Sequence, residues 1–194
     1  MKFFGSALVF AAGALVLTTS SLSQVPAFSD RQFSEAERRI VRLPPSAFPD
    51  LPRDVVKDLE QRGCGIPQEA LTKKPHNVVS GEFAKRGQRD WAVLCSIEGI
   101  STILVFWNGS PVNSAAIAPT EDRAFLQSVT ANEIGFSRGL YAVEKDFIVR
   151  NFEGFGGPKP PPIDHQGIDD AFVGKASRTW YFHAGKWLQL QGSD

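Results

Sequence analysis

The stretch Asn77–Asn108 limits the possible folds of this chain more than any other. Within it, Ala92–Ile97 and Ile100–Trp107 are short runs rich in Val, Ile, Leu and aromatic residues, with apolar side chains at successive positions. Such runs predict strands that are buried on both faces. Glu98-Gly99 between them and Asn108-Gly109 after them are turn signals, because glycine readily adopts the positive φ of a tight hairpin. The sequence therefore predicts an antiparallel meander.

The neighbouring segments extend this prediction to an α+β fold, mainly antiparallel β-sheet (meander and hairpins) with two short N-terminal helices packed on it. Asn77–Phe83 leads into the two core strands, and Val112–Ile117 is the candidate fourth strand. Ser34 and Glu37 have the spacing of a capping box, which predicts a helix from there. Pro52–Arg62 carries an apolar stripe opposite charged residues, which predicts a second helix. We expect both helices to cover one face of the sheet.

Further strands are predicted downstream, at Phe125–Val129, at Asp146–Asn151 and in a terminal hairpin of Arg178–His183 with Lys186–Leu190. The segment Glu133–Tyr141 fits neither the helical nor the strand period of apolar residues. The expected organisation is a signal peptide at 1–27 and one globular domain at 28–194, consisting of a helical cap (28–66), a core β-meander (77–117), further strands (120–153), a Gly/Pro loop (154–163) and a terminal loop with a β-hairpin (164–194).

The N-terminus has the pattern of an export signal. Lys2 is the only charged residue before Asp30, Phe3–Leu17 is apolar, and Val25-Pro26-Ala27 suits a signal peptidase. The apolar run is shorter than the roughly 20 residues of a membrane span, which favours a cleaved signal over a retained anchor. We expect a secreted or periplasmic protein with no membrane attachment after cleavage. The 21 basic and 21 acidic residues give no electrostatic reason to expect nucleic acid as a partner.

The two cysteines, Cys64 and Cys95, agree with export. A single pair in an oxidising compartment favours a disulfide, with two buried free thiols as the alternative. Such a bridge would join the end of the second predicted helix to the first core strand. Neither cysteine has a histidine nearby in the sequence, so a nucleophilic role is the less favoured interpretation.

The segment Gly81–Val93, GEFAKRGQRDWAV, resembles one FG-GAP repeat, the β-repeat of integrin α-subunit propellers and of many exported bacterial proteins. The family pattern is G-D-F-N-G-D-G-x-x-D-L-A-V, and six positions match it: Gly81, Phe83, Gly87, Asp90, Ala92 and Val93. The order of elements also resembles a group of exported bacterial proteins. The resemblance implies one strand–loop–strand unit in a chain too short for a propeller, and it implies no activity. Gly167–Val173 with the terminal hairpin is either a degenerate second copy or simply another hairpin.

The departures from the family pattern decide what this loop can bind. Family members hold Ca²⁺ with loop oxygens, but the corresponding positions here carry Glu82, Ala84 and Arg86, and Lys85 lies beside them. Two cationic side chains therefore stand where a dication would bind, and we expect no Ca²⁺. We predict instead an internal ion pair, in which the Arg86 guanidinium bridges Glu82 and Asp90.

One other polar cluster, Asp164–Asp170, has donors that suit a metal. The candidate ligands for a hard cation are oxygen donors: Asp164, Gln166 and Asp170. His165 with Asp169 would instead suit a transition metal. The competing interpretation is a turn held by Asx hydrogen bonds. Adjacent Asp169 and Asp170 on a strand would point to opposite faces, so they do not form a catalytic carboxylate pair.

The expected function is that of an exported non-enzymatic binding or structural domain, whose partner is an unknown protein or glycan, without a cofactor. The alternative is an exported hydrolase or metal-dependent enzyme centred on the Asp164–Asp170 loop. No phosphate-binding glycine loop is present to favour the enzyme. Two further features have both a binding and a structural interpretation. The GFGGPKPPP loop is either a recognition segment or a stiff connector. The four tryptophans form either a platform that binds sugar rings or partner chains, or part of the core.

Overall fold

The computed structural model describes Met1 and residues 28–193. The predicted signal peptide, apart from Met1, lies outside the described residues. The α+β prediction is confirmed, with three α-helices in the described part of the chain: α1 Asp30–Arg38, α2 Arg53–Gln61 and α3 Lys145–Phe155. None of the helices in residues 28–193 is long and apolar enough to cross a membrane.

Twelve strands of the described residues pair antiparallel in four open sheets. The first sheet has the order β3-β4-β5-β6: Val78–Gly81, Asp90–Ile97, Ile100–Phe106 and Ala115–Glu121. The second sheet contains β9 to β12, with β9 and β12 at its edges: Arg138–Val143, Gly167–Phe172, Ala176–His183 and Lys186–Gln191. Two small sheets pair β1 with β2 and β7 with β8: Arg42–Leu43 with Ile66–Pro67, and Leu126–Thr130 with Glu133–Phe136.

The two four-stranded sheets pack face to face, with one helix on the outer side of each. The layer between them is formed by alternate residues of both sheets, among them Leu94 and Val105 from the first and Leu140 from the second. The opposite face of the first sheet packs on α2 through Val55 and Leu59, which are fully buried. Burying side chains of this size stabilises by about 1.5–3 kcal/mol each. The opposite face of the second sheet packs on α3.

The predicted core meander is confirmed as β3 to β6, and so is the disulfide. Cys64 and Cys95 are bonded, and their Cα atoms lie 5.3 Å apart. The bridge joins Cys64, which lies shortly beyond the end of α2, to Cys95 within β4. In the chain-entropy account, a bridge of this sequence separation, 31 residues, stabilises by roughly 3–4 kcal/mol.

Helix α1 begins earlier than predicted and packs elsewhere. Its N-cap is Ser29, whose hydroxyl accepts from the Gln32 N–H at 3.4 Å while the Gln32 side chain accepts the Ser29 N–H at 2.8 Å. Ser34 therefore lies inside the helix. Ala36 packs in the layer between the sheets, beside β8, so the expectation that both helices cover one face was wrong.

The strand predicted at Asp146–Asn151 is part of α3, which corrects that prediction. Ile148 and Asn151 are buried at the i, i+3 spacing of a helix, because this segment has to cover the outer face of the second sheet. The apparent alternation of apolar residues was a fragment of a helical stripe. Gly156, with φ of 78°, ends the helix. The unassigned Glu133–Tyr141 contains β8 and the start of β9.

The Asn77 side chain connects the first sheet to the edge of the second sheet through hydrogen bonds to the backbone. Asn77 is fully buried, with φ of 72°. Its amide nitrogen donates to the Arg138 carbonyl at 3.0 Å and its oxygen accepts the Leu140 N–H at 2.9 Å, so its side chain replaces a neighbouring strand along the edge of β9. The amide nitrogen also donates to the Pro67 carbonyl at 2.7 Å. A single side chain thus joins β2 and β9 to the start of β3.

Candidate functional site

The fold brings the two polar clusters predicted from sequence into one open cleft of about 740 Å³. We call it the loop cleft, and its polar lining comes from both loops and from the start of α3: Glu82, Arg86, Glu144, Lys145, Asp164 and His165. Gln166 joins its walls. The Gln166 N–H donates to the Glu82 carbonyl at 3.0 Å, and its side-chain oxygen accepts the Glu82 N–H at 2.8 Å. Its amide nitrogen donates to Glu144 at 2.6 Å.

A buried carboxylate, Asp90, organises the loop that precedes β4. Asp90 is fully buried and sits at the first position of that strand. Its two oxygens accept four hydrogen bonds, from the backbone N–H groups of Phe83 at 3.0 Å, Ala84 at 2.9 Å and Asn108 at 2.8 Å and from the Gln88 side chain at 2.8 Å. Backbone amides therefore stabilise the negative charge that a cation would otherwise balance.

The structure does not show the predicted bridge from Arg86 to Glu82 and Asp90. Among the ion pairs of residues 28–193, none joins Arg86 to Glu82 or Asp90. Asp90 is enclosed by its amide donors, whereas Arg86 is exposed and lines the loop cleft. An exposed guanidinium gains little from leaving water to reach a carboxylate that is already satisfied.

The three candidate metal ligands do not converge. Asp170 points between the two sheets, where its oxygens accept from Arg138 at 2.7 and 2.8 Å. The Asp164 side chain is 80% exposed and accepts the Tyr181 hydroxyl at 3.0 Å, and Gln166 is used within the walls of the loop cleft. Within the part of the chain that the structure describes, no three His, Cys, Asp or Glu side chains are arranged to hold a metal ion.

Arg138 explains why Asp170 is withdrawn. This arginine is fully buried, and all of its donors have partners across the two sheets. Besides Asp170, it donates to the carbonyl and hydroxyl of Ser101 at 3.0 and 2.9 Å and to the Ala118 carbonyl at 2.9 Å. Its guanidinium lies 4.6 Å from the centre of the Phe125 ring. Asp170 lies on the strand next to Arg138 and balances its charge, while the bonds to Ser101 and Ala118 link the second sheet to the first.

Asp169 faces the opposite side of β10, as the alternation of a strand requires. It is 5% exposed, and burial raises its pKa to about 6. Neighbouring Asp170 acts in the same direction, while hydrogen bonds from Ser177 and Thr179 partly oppose the shift. Asp169 was predicted from sequence as a transition-metal ligand with His165, and its burial beneath neighbouring side chains was not predicted.

His165 is engaged on both sides of its ring. Each ring nitrogen lies 2.9 Å from a backbone carbonyl oxygen, one of Gln166 and one of Phe182. The ring also stacks on Tyr181, with centroids 4.3 Å apart. Two carbonyl oxygens occupy the positions from which a metal ion or a substrate proton would approach the ring nitrogens.

The tryptophans near β12 pack on one another. Trp107, which follows β5 in a short 3₁₀ turn and not in a strand, stacks on Trp187 at 5.6 Å and lies 4.9 Å from Phe182. The indole nitrogens of Trp180 and Trp187 are buried without a hydrogen-bond partner among the described residues. All three tryptophan rings are partly buried against the core, and the polar atoms of Trp180 and Trp187 are not displayed to solvent.

A second concavity, which no sequence motif indicated, is a groove of about 430 Å³ between the end of α1, the segment that follows β2, and β8. Its volume lies within the range of about 300–1,000 Å³ usual for ligand sites. The floor of the groove is apolar: Ala36, Ile40, Leu43, Ile134 and Phe136. Its rim carries three cations and two carboxylates: Arg39, Lys73, Lys74, Glu69 and Glu133.

Gln68 holds the wall of the groove in place. Its N–H donates to the Val41 carbonyl at 2.8 Å, which fixes the start of the loop that carries Lys73 and Lys74. Its side-chain amide donates to the His76 carbonyl at 3.0 Å and accepts the His76 N–H at 2.8 Å, which fixes the end of that loop. The groove is therefore shaped before any ligand arrives.

Comparison of the chain with protein-family models, with curated proteins and with solved structures found no match in any of the three. The physical chemistry of the groove and of the loop cleft therefore carries the functional argument.

Proposed function

We propose that the protein is a non-catalytic binding domain of the exported compartment and that the groove holds its partner. The observation that carries the proposal is the combination of an apolar floor with Arg39, Lys73 and Lys74 at the rim. None of these three cations forms an ion pair within residues 28–193. The expected partner therefore presents apolar groups together with negative charge.

The state of the other polar groups supports binding over catalysis. The residues of the 164–170 loop that a hydrolase would need already have partners within the protein. Asp170 is paired with Arg138, and the ring nitrogens of His165 lie against two backbone carbonyls. A catalytic site needs a nucleophile or base within reach of a substrate. The Cys64–Cys95 disulfide supports the exported compartment, because such bonds persist in oxidising surroundings.

For Gly81–Val93 we propose a degenerate FG-GAP-like unit that has kept its loop without an ion. The support is the position of Asp90, whose carboxylate gathers amide donors from the loop and from the following hairpin. In this view the unit is a structural element beside the loop cleft and takes no part in binding at the groove.

The groove is tested with an amphipathic anion of known chemistry, 8-anilinonaphthalene-1-sulfonate. We expect the dye to gain fluorescence on the native protein, and we expect the double variant Lys73→Glu/Lys74→Glu to bind it about tenfold more weakly. The charge-matched control is Lys159→Glu/Lys186→Glu, two exposed lysines that do not line the groove. Equal affinity of the native protein and the groove variant would contradict the proposal.

A further inference from the structure

The groove lies along the edge of β8 that is not covered by another strand of residues 28–193. All four residues of β8, Glu133–Phe136, line it. Side chains alternate between the faces of a strand, so four consecutive lining residues mean that the backbone edge itself borders the groove. The other edge of β8 pairs with β7.

Hydrogen bonding around β8 shows which backbone groups point into the groove. The Ser137 N–H donates to the Phe125 carbonyl at 2.9 Å, which continues the ladder with β7. Because bonded and non-bonded pairs alternate in an antiparallel ladder, Gly135 also bonds towards β7, while Ile134 and Phe136 direct their N–H and C=O outward. The Phe136 carbonyl accepts the Ala70 N–H at 2.8 Å on that outer side. Ile134 is 7% exposed, and its outward groups face the groove.

We propose that the groove takes an extended peptide segment of a partner protein, which adds to β8 as the third strand of the β7–β8 sheet. The inference rests on the proposed function of the groove and names the class of its ligand. An unpaired strand edge beside an apolar groove is the arrangement that strand addition uses, in which main-chain bonds supply affinity and alternate side chains enter the floor. Buried backbone groups require a polar partner, and the incoming strand supplies one for Ile134.

The size and charge of the groove define the peptide further. Four residues of β8 extend over about 13 Å, and because the Phe136 end is already bonded to Ala70, the open part matches about two or three residues of an added strand. Alternate apolar side chains would contact Ile40 and Leu43 on the floor. The remaining positions are acidic in the preferred peptide, because the rim carries three cations against two carboxylates.

The experiment uses a labelled, acetylated peptide of about six residues in which valine and glutamate alternate, and two twins of it. One twin is N-methylated at the valines and the other at the glutamates. Successive N–H groups of a strand point to opposite edges, so only one set faces β8. We expect fluorescence anisotropy to show binding of the parent peptide, a loss of about tenfold for one twin and little change for the other.

The charge variants separate this inference from the proposed function. We expect Lys73→Glu/Lys74→Glu to weaken binding of the parent peptide about tenfold, and Lys159→Glu/Lys186→Glu to leave it unchanged. Slower hydrogen exchange at the Ile134 amide in the complex supports strand addition.

If both twins bind like the parent while the groove variant loses affinity, strand addition is overturned and the proposed function of the groove stands. If the parent peptide does not bind, but the dye binds the Lys73→Glu/Lys74→Glu variant more weakly than the native protein, strand addition is overturned and the proposed function of the groove stands. If neither probe responds to the groove variant, both proposals are overturned.

Discussion

Replacing Asp169 with asparagine removes the charge of a buried carboxyl group while changing its shape little. Asp169 is 5% exposed, and burial raises its pKa from 3.8 to about 6. The Thr179 hydroxyl lies 3.5 Å from its Oδ1, and an asparagine oxygen can accept at the same position. The substitution therefore isolates the free energy of burying the negative charge.

The direction of the effect follows from the raised pKa. The folded protein holds the Asp169 proton more tightly than the unfolded chain, so the stability that the neutral carboxyl contributes is complete below pH 3.8. That contribution is lost as the pH rises through about 6. The difference between 3.8 and about 6 corresponds to about 3 kcal/mol. We expect Asp169→Asn to match the native stability at about pH 4 and to exceed it by up to about 3 kcal/mol at about pH 7.5.

Urea unfolding at both pH values measures the difference between variant and native protein, with the disulfide intact. Asp164→Asn is the matched control, because the Asp164 side chain is 80% exposed and its removal has little desolvation to relieve. A stability difference for Asp169→Asn that is the same at both pH values would refute the reasoning, since a charge-independent effect does not vary with protonation.

Three further predictions concern the links between the layers, and denaturant unfolding measures each of them. Asn77→Ala leaves the buried Leu140 N–H without its acceptor, and we expect a loss of about 2–4 kcal/mol; a loss below about 1 would show that water replaces the amide. Arg138→Met leaves Asp170 buried without its cation and is expected to cost about 3–5 kcal/mol, most of which the double variant with Asp170→Leu recovers; no recovery would contradict the pairing. Cys95→Ser removes the disulfide and is expected to cost roughly 3–4 kcal/mol, and an equal cost under reducing conditions would argue against the bridge as its source.

Local patterns were sufficient where the relevant forces act between near neighbours. The strands β4 and β5 were predictable because their apolar runs and the intervening Glu98-Gly99 turn all lie in one continuous stretch. The Cys64–Cys95 bridge followed from having a single pair in a chain with an export pattern. Asp169 and Asp170 were correctly assigned to opposite faces because the period of a strand is local.

Other assignments needed partners from distant parts of the chain. Ser29 and Ser34 both suit a helix N-cap, and the earlier residue was used. Arg86 is close to Asp90 in sequence, yet Asp90 takes one of its four hydrogen bonds from the Asn108 N–H, which only the following hairpin brings near. The fate of Asp170 likewise depended on Arg138, which lies 32 residues away and gave no signal in the sequence.

The sequence by itself therefore determined the class of fold, the core meander and the cysteine pair. The period of apolar residues and the chemistry of turns are properties of short segments, and the single cysteine pair is read directly from the composition. Only the tertiary structure decided what α3 is and where the groove lies. The Asp146–Asn151 segment became helical because the outer face of the second sheet needed a cover. The groove combines the end of α1, the loop tied by Gln68 and the outer edge of β8, and no pattern within any one of these segments specifies that they meet.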